Sequence, residues 1–357
     1  MAGMSKKKAI ERIKKKVPKI NEEVLYVPTG LSLLNLAASN KAKGGFPVGK
    51  FYNLCGGTHA GKTLMAYTML AETANNPAFD DYRLVKADSE AADEFDVKGM
   101  FGLKLDSRLE LTSPNSIEDF HVEFDDCCKD DKPFIYVLDS LDSLTSAAQT
   151  KEFNATMDAI RKDNKLPGSY GMSKAKAGSR FFSEICGKLA EKKSMLLIIS
   201  QIRDNIDPVS PVKHTRSGGN NLDFYASIVA WVTSVGKINS KVGDIKLTIE
   251  SKSKIKFSKN KVTGVSVSEI PFQMSPAYGI DNIRSNIDFL ISSSYWSGNG
   301  NGVNTKGFVD DKIPRRELID LIERENREGD LDDVMQKAWD TLVLPALKPV
   351  ERKSKYE

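Results

Sequence analysis

Short apolar runs alternate with longer amphipathic stretches through the first two thirds of this chain. The apolar runs are Phe51–Leu54, Leu84–Ala87, Phe134–Leu138, Met195–Ser200 and Ile228–Val235. Between them Lys62–Asn75, Ser116–Cys128 and Lys174–Lys193 carry helical periodicity. Strand, helix and strand repeated in this way predict a mainly parallel sheet with helices on its faces. From about Ile245 to Phe272 the pattern changes and predicts short strands joined by turns. Ser292–Gly307 is a polar break rich in Gly and Asn, and beyond it Arg315–Arg327 and Asp330–Leu344 read as two helices.

The N-terminus stands apart. Eight Lys or Arg and one acid lie between Met1 and Lys19, with Ile10, Ile13, Val17 and Ile20 at helical spacing. This predicts a basic amphipathic arm, open between a solvated helix and one that docks on a neighbouring subunit or on DNA. The arm has no apolar core, so it does not read as a secretory signal. No run of the chain approaches 18 apolar residues, and no membrane span is expected.

Composition narrows the class only a little. The 357 residues are 40% hydrophobic and 28% charged, with a formal net charge of +4. Four cysteines (Cys55, Cys127, Cys128, Cys186) lack zinc-ligand spacing and fit a reducing, cytoplasmic compartment. Three histidines (His59, His121, His214) argue against a His-based metal site.

One segment carries specific chemistry. Gly56-Gly-Thr-His-Ala-Gly-Lys-Thr63 matches GxxxxGK[ST], follows a predicted strand and opens a predicted helix. Its glycines, Gly56, Gly57 and Gly61, let backbone N–H groups close around phosphate oxygens, with Thr58, His59 and Ala60 completing the loop. Lys62 is expected to reach the β- and γ-phosphates of ATP, and Thr63 to hold Mg2+ through its hydroxyl. Asp139 closes the apolar strand Phe134–Leu138 and is the expected metal-side acid. Another strand ends in Asp88-Ser-Glu90, and Glu90 is the candidate for polarising an attacking water.

The order of these motifs resembles the RecA family of homologous-recombination proteins, from about Tyr26 to Ile280. Pro28-Thr-Gly-Leu-Ser-Leu, the phosphate loop, Asp88-Ser-Glu90 with Phe101-Gly-Leu, and Val137-Leu-Asp-Ser-Leu-Asp-Ser-Leu-Thr145 carry the resemblance. So do Ile198-Ile-Ser-Gln-Ile-Arg203, the segment SGGNNLDFYAS over Ser217–Ser227, and Lys259-Asn-Lys261. The resemblance implies a RecA-like ATPase core over residues 28–281, a basic arm over 1–27 serving oligomerisation, and a small α+β C-terminal domain over 282–357. It implies that Glu90 is the catalytic glutamate and Gln201 a γ-phosphate sensor. It also implies that Lys259 and Lys261 reach in trans to a neighbouring subunit's ATP.

Two DNA-binding loops follow from the same resemblance. The first corresponds to roughly Ala147–Gly178, with Lys176 at a family arginine position and Arg180 one turn away. The second runs from Ile202 to Gly219 and brings Arg203, Lys213 and Arg216, then Gly218, Gly219 and Asn220. The implied function is an ATP-dependent recombinase that forms a helical filament on single-stranded DNA and exchanges strands with homologous duplex DNA. A hexameric RecA-like motor is the alternative.

Departures from the bacterial pattern are visible as well. Asp223 replaces a lysine, the adenine-stacking aromatic is open between Phe95 and Val97, and the first loop is longer. The helical spacing in Met172-Ser-Lys-Ala-Lys-Ala and the longer first loop look more like phage-encoded recombinases of the UvsX type, which would place the protein in a host cytoplasm.

Overall fold

A computed structural model describes residues 24–91, 95–147, 149–151, 173–204, 214–216, 219–267, 269–299 and 302–347. Residues 1–23 of the basic arm, most of the first predicted DNA loop and the centre of the second lie outside the described residues.

Ten strands form the main sheet. Six are parallel neighbours, in the order β9 (Ile228–Val242), β3 (Lys50–Gly56), β7 (Met195–Asp204), β6 (Phe134–Asp139), β4 (Arg83–Asp88) and β5 (Leu109–Thr112). Beyond β9 the sheet turns antiparallel, through β10 (Ile245–Asn260), β11 (Ile270–Ser275) and β12 (Gly279–Ile280). This is the α/β class that the periodicity predicts.

Both faces of the sheet are covered, and the strands show it in their side-chain alternation. Ile135, Val137, Leu197 and Ile199 join one core, which contains Met65 and Leu70 of the helix α2 (Lys62–Asn75). Tyr136, Leu138, Leu196 and Ile198 join the other, with Phe120 and Phe124 of a helix over Ile117–Lys129 and Phe182 and Ile185 of a helix over Ser173–Lys192. Strands buried on two faces read as unbroken apolar runs, which is why the periodicity located them. The Ile117–Lys129 helix begins where its chemistry requires. Ser116 accepts from the Asp119 N–H and the Asp119 carboxylate accepts from the Ser116 N–H, a reciprocal cap.

One expectation needs correcting. The stretch from Ile245 is not a set of short strands. It is the second arm of one hairpin, in which Ile228–Val242 and Ile245–Asn260 pair antiparallel. A two-residue connection, Gly243-Asp244, closes it, with Gly243 at φ +61. Three register irregularities, between Thr248 and Glu250, Lys252 and Ser253, and Phe257 and Lys259, break the period-two pattern. β3 pairs with this hairpin only as far as Val232, and β11 only as far as Ser251, opposite Lys237. Beyond that point it is a two-stranded ribbon, and Val242, Ile245 and Leu247 are exposed, so no burial signal marks its length.

The C-terminal segment packs on a short helix near the start of the chain, Ser32–Ser39. The Trp339 indole N–H donates to Asn40 Oδ1 at 3.0 Å, and Gln336 bonds Ala42 and Asn40. Trp339 and Trp296 are each 1% exposed and belong to the same apolar cluster as Leu33 and Leu36.

Because Trp339 fills this junction, Trp339→Ala should destabilise the protein by about 3–5 kcal/mol. Urea unfolding followed by circular dichroism checks this, and a loss under about 1 kcal/mol would contradict the packing described.

Candidate functional site

The register of the parallel strands determines what meets at their carboxyl ends. Gly56, the first glycine of the phosphate loop, lies opposite Gln201 on β7, and Asp139 on β6 lies opposite Asp88 on β4. Four strands therefore deliver a loop, an amide and a group of acids to one edge of the sheet. This is the position at which open α/β sheets bind ligands.

The loop residues Gly57–Gly61 connect β3 to α2. Gly61 sits at φ +98, a conformation that favours glycine, and a Cβ there would lie 2.6 Å from Met274 Sδ, so the methionine side chain would have to shift. Helix α2 has no side-chain cap at its N-terminus. Its first N–H groups thus open toward the cleft, the arrangement that attracts anions.

The cleft holds about 480 Å³ and is lined by Thr58–Leu64, Glu90, Phe95, Met100, Asp139, Gln201, Ser251 and Met274–Pro276. Lys62 is largely buried, and its Nζ donates to the Gly57 carbonyl at 2.7 Å. Burial pushes the Lys62 ammonium below the usual lysine range, while Asp139, Glu90 and Asp142 pull it back up. Thr63 Oγ1 donates to Asp139 Oδ2 at 2.7 Å. A hydroxyl and a carboxylate this close suit Mg2+, which takes one or two protein oxygens and completes its shell with phosphates and water. Among the described residues no group of three or more His, Cys, Asp or Glu forms an all-protein metal cage.

Glu90 is held from two sides. Its Oε1 accepts from the Ser140 hydroxyl at 2.7 Å and from the Gln201 side-chain amide at 2.6 Å. The Gln201 backbone N–H donates to Asp142 Oδ2 at 2.7 Å, which fixes the strand end. The sequence singled out Glu90, Gln201 and Asp139 separately, and the fold brings them together with Lys62 and Thr63. Of the two candidates for an aromatic wall, Phe95 lines the cleft. Its ring lies 5.2 Å from that of Tyr67.

The other predicted residues lie elsewhere. Lys259 and Lys261 do not line their own chain's cleft. The Lys259 ammonium donates to the Asp223 and Phe224 carbonyls at the end of a helix over Gly219–Tyr225, and Lys261 is exposed. Arg203 and Arg216 fall on paired strands, since β7 continues to Asp204 and pairs antiparallel with His214–Arg216. Gly219 and Asn220 open the Gly219–Tyr225 helix, and Lys176 and Arg180 lie on the Ser173–Lys192 helix. The side chains of Arg203, Arg216, Asn220, Lys176 and Arg180, and the whole of Lys213 and Gly218, lie outside the described residues.

Sequence reasoning missed one charged residue beside this site. Lys86 lies inside the run Leu84–Ala87 and is fully buried, 4.0 Å from Asp139 Oδ2. A lysine within a strand buried on both faces was the available signal.

A phosphate loop between β3 and α2, with acids at the neighbouring strand ends, defines a P-loop α/β protein. The model of the RecA N-terminal domain matches residues 4–281, and the chain belongs to the RecA family. It is 28% identical over 245 residues to a plasmid RecA protein of Lactococcus lactis subsp. lactis, covering 69% of this chain and 64% of that relative. It is 27% identical to RecA of Xylella fastidiosa, with 68% and 64% covered, and 24% identical to RecA of Colwellia psychrerythraea, with 76% and 72% covered. Toward the first two the matched span is thus just under two thirds of the relative's length. Among the described residues no helix is long and apolar enough to cross a membrane.

The loop geometry predicts that Gly61→Ala is destabilising, because Cβ meets Met274 and φ is unfavourable. A cost of about 1–3 kcal/mol is expected, read as a fall in thermal midpoint. An unchanged midpoint would contradict the left-handed loop.

Proposed function

We propose that the protein is an ATP-dependent DNA recombinase that assembles as a filament on single-stranded DNA and promotes pairing and strand exchange with homologous duplex. The observation that carries this reading is the place of Gln201. Its amide bonds Glu90 inside the cleft, and its strand runs on through Ile202–Asp204 into the paired segment that begins the second loop. A phosphate oxygen at the cleft and a DNA strand at the loop then act on adjacent positions at the carboxyl end of one β-strand. Family membership supports the same reading.

In this mechanism Lys62 contacts the β- and γ-phosphates, and the loop N–H groups and the start of α2 hold their oxygens. Thr63 and Asp139 would hold Mg2+, which would supply charge neutralisation at the phosphates. Glu90 orients and deprotonates the attacking water, with Ser140 and Gln201 fixing its carboxylate. Phe95 forms an apolar wall for the base. Lys259 and Lys261 act in trans on a neighbour's nucleotide, so ATP binding and assembly become one event. Arg203, Lys213, Arg216, Lys176 and Arg180 contact DNA phosphates, with Gly218, Gly219 and Asn220 giving the backbone close approach. DNA binding is then largely indifferent to sequence and falls with salt.

A strand-exchange assay with homologous single-stranded and duplex DNA tests the reading. ATP-dependent joint molecules are expected, whereas closed rings that unwind DNA without pairing it would favour a hexameric motor. Lys62→Ala should abolish DNA-stimulated ATP turnover. Glu90→Gln should lower kcat by roughly 10²- to 10⁴-fold with nucleotide affinity within a few-fold of the parent. Equal loss of nucleotide binding and kcat in Glu90→Gln would remove Glu90 from the chemical step.

A further inference from the structure

Strand β4 places a charge where a doubly covered sheet normally carries an aliphatic side chain. Leu84, Val85 and Ala87 are buried apolar residues, and Lys86 between them is 0% exposed. By strand alternation Lys86 shares the face of Leu84, the face packed by α2. Its Nζ lies 5.0 Å from the ring centroid of Tyr67 on that helix and 4.0 Å from Asp139 Oδ2. A lysine without accessible surface is stable only where its charge is compensated. The aromatic face and the carboxylate are two of the compensating groups here. Asp139 Oδ2 is the same oxygen that accepts the Thr63 hydroxyl.

We propose that Lys86 is a positioning residue of the magnesium site, a resident internal cation that shares Asp139 with the metal and sets the magnesium requirement for nucleotide binding. This rests on the ATP and magnesium reading above. Two effects follow from one position. Lys86 and Thr63 hold the Asp139 carboxylate from the protein side, so the acid is in place before the metal arrives. A fixed positive charge behind that carboxylate also opposes a divalent cation in front of it. The phosphates of the nucleotide supply the negative charge that offsets this repulsion, so metal and nucleotide enter together rather than in succession. Tyr67 shields the buried ammonium from the apolar core without neutralising it, which keeps the cation in place.

The test uses the full-length protein and a fluorescent ATP analogue, titrated with Mg2+ at fixed nucleotide. Lys86→Met preserves the stem length and removes the charge. It should lower the Mg2+ midpoint for nucleotide binding by roughly three- to tenfold. In an Asp139→Asn background the same substitution should leave the midpoint unchanged, because the effect acts through that carboxylate. A parent-like Mg2+ midpoint in folded Lys86→Met would overturn the proposal while leaving the recombinase reading intact. Absence of magnesium-dependent nucleotide binding in the parent protein would instead overturn that reading. Lys86→Gln is the second variant. Failure of both to fold would assign Lys86 to the fold rather than to the metal site.

Discussion

Parallel pairing forces the site into existence. Strands β3, β7, β6 and β4 run in one direction and in fixed register, so their carboxyl ends lie side by side. A one-residue slip of β7 would move Gln201 off Gly56 and reverse the face of every side chain on that strand. The buried apolar pairs below the edge, Leu138 beside Ile198 and Leu54 beside Ile199, resist such a slip. The chemistry at the edge is therefore held by hydrophobic packing further down the same strands. This also explains why the functional groups need few bonds among themselves. Each strand has already been placed before its last residue is reached.

The edge is rich in acid. Glu90 and Asp139 face the cleft, and Asp88 and Asp142 stand next to them, in contact with the Glu90 N–H and the Gln201 N–H. Lys62 and Lys86 are the nearby cations, one on the cleft side of Asp139 and one behind it. Desolvation weakens the charge on Lys62, and the acids offset this only in part. Such a balance suits a ligand that brings both a polyanion and a divalent cation, since each alone meets like charge.

The sequence made the sheet and the phosphate loop legible because both rest on local rules. Runs buried on two faces are apolar throughout, and the loop needs glycines at set spacing before a lysine and a hydroxyl. Helix α2 begins and ends where the sequence predicted. Glu90 was legible as a strand-terminal acid and Gln201 only through the family resemblance, but their bond was not, because 111 residues separate them in the chain. The ribbon was illegible for a different reason. Its side chains are solvated on both faces, so burial imposes no pattern on them, and three irregularities disturb what alternation there is. Lys86 was missed because a single charge does not break an apolar run, although its burial makes it the more informative residue.

On the recombinase reading proposed above, the bond between Gln201 and Glu90 serves as the switch. The Gln201 amide has two N–H donors, and Glu90 Oε1 takes one of them. A γ-phosphate oxygen entering the cleft competes with that carboxylate for the amide. Whichever acceptor wins shifts the side chain, while the backbone N–H of the same residue stays tied to Asp142. The Gln201 backbone is thus the pivot about which the side chain swings. Motion at the pivot passes to Ile202, the next residue, which is paired with Arg216 across the start of the loop. The path from phosphate to loop is two residues long, and along so short a path a small displacement at one end need not be lost before it reaches the other.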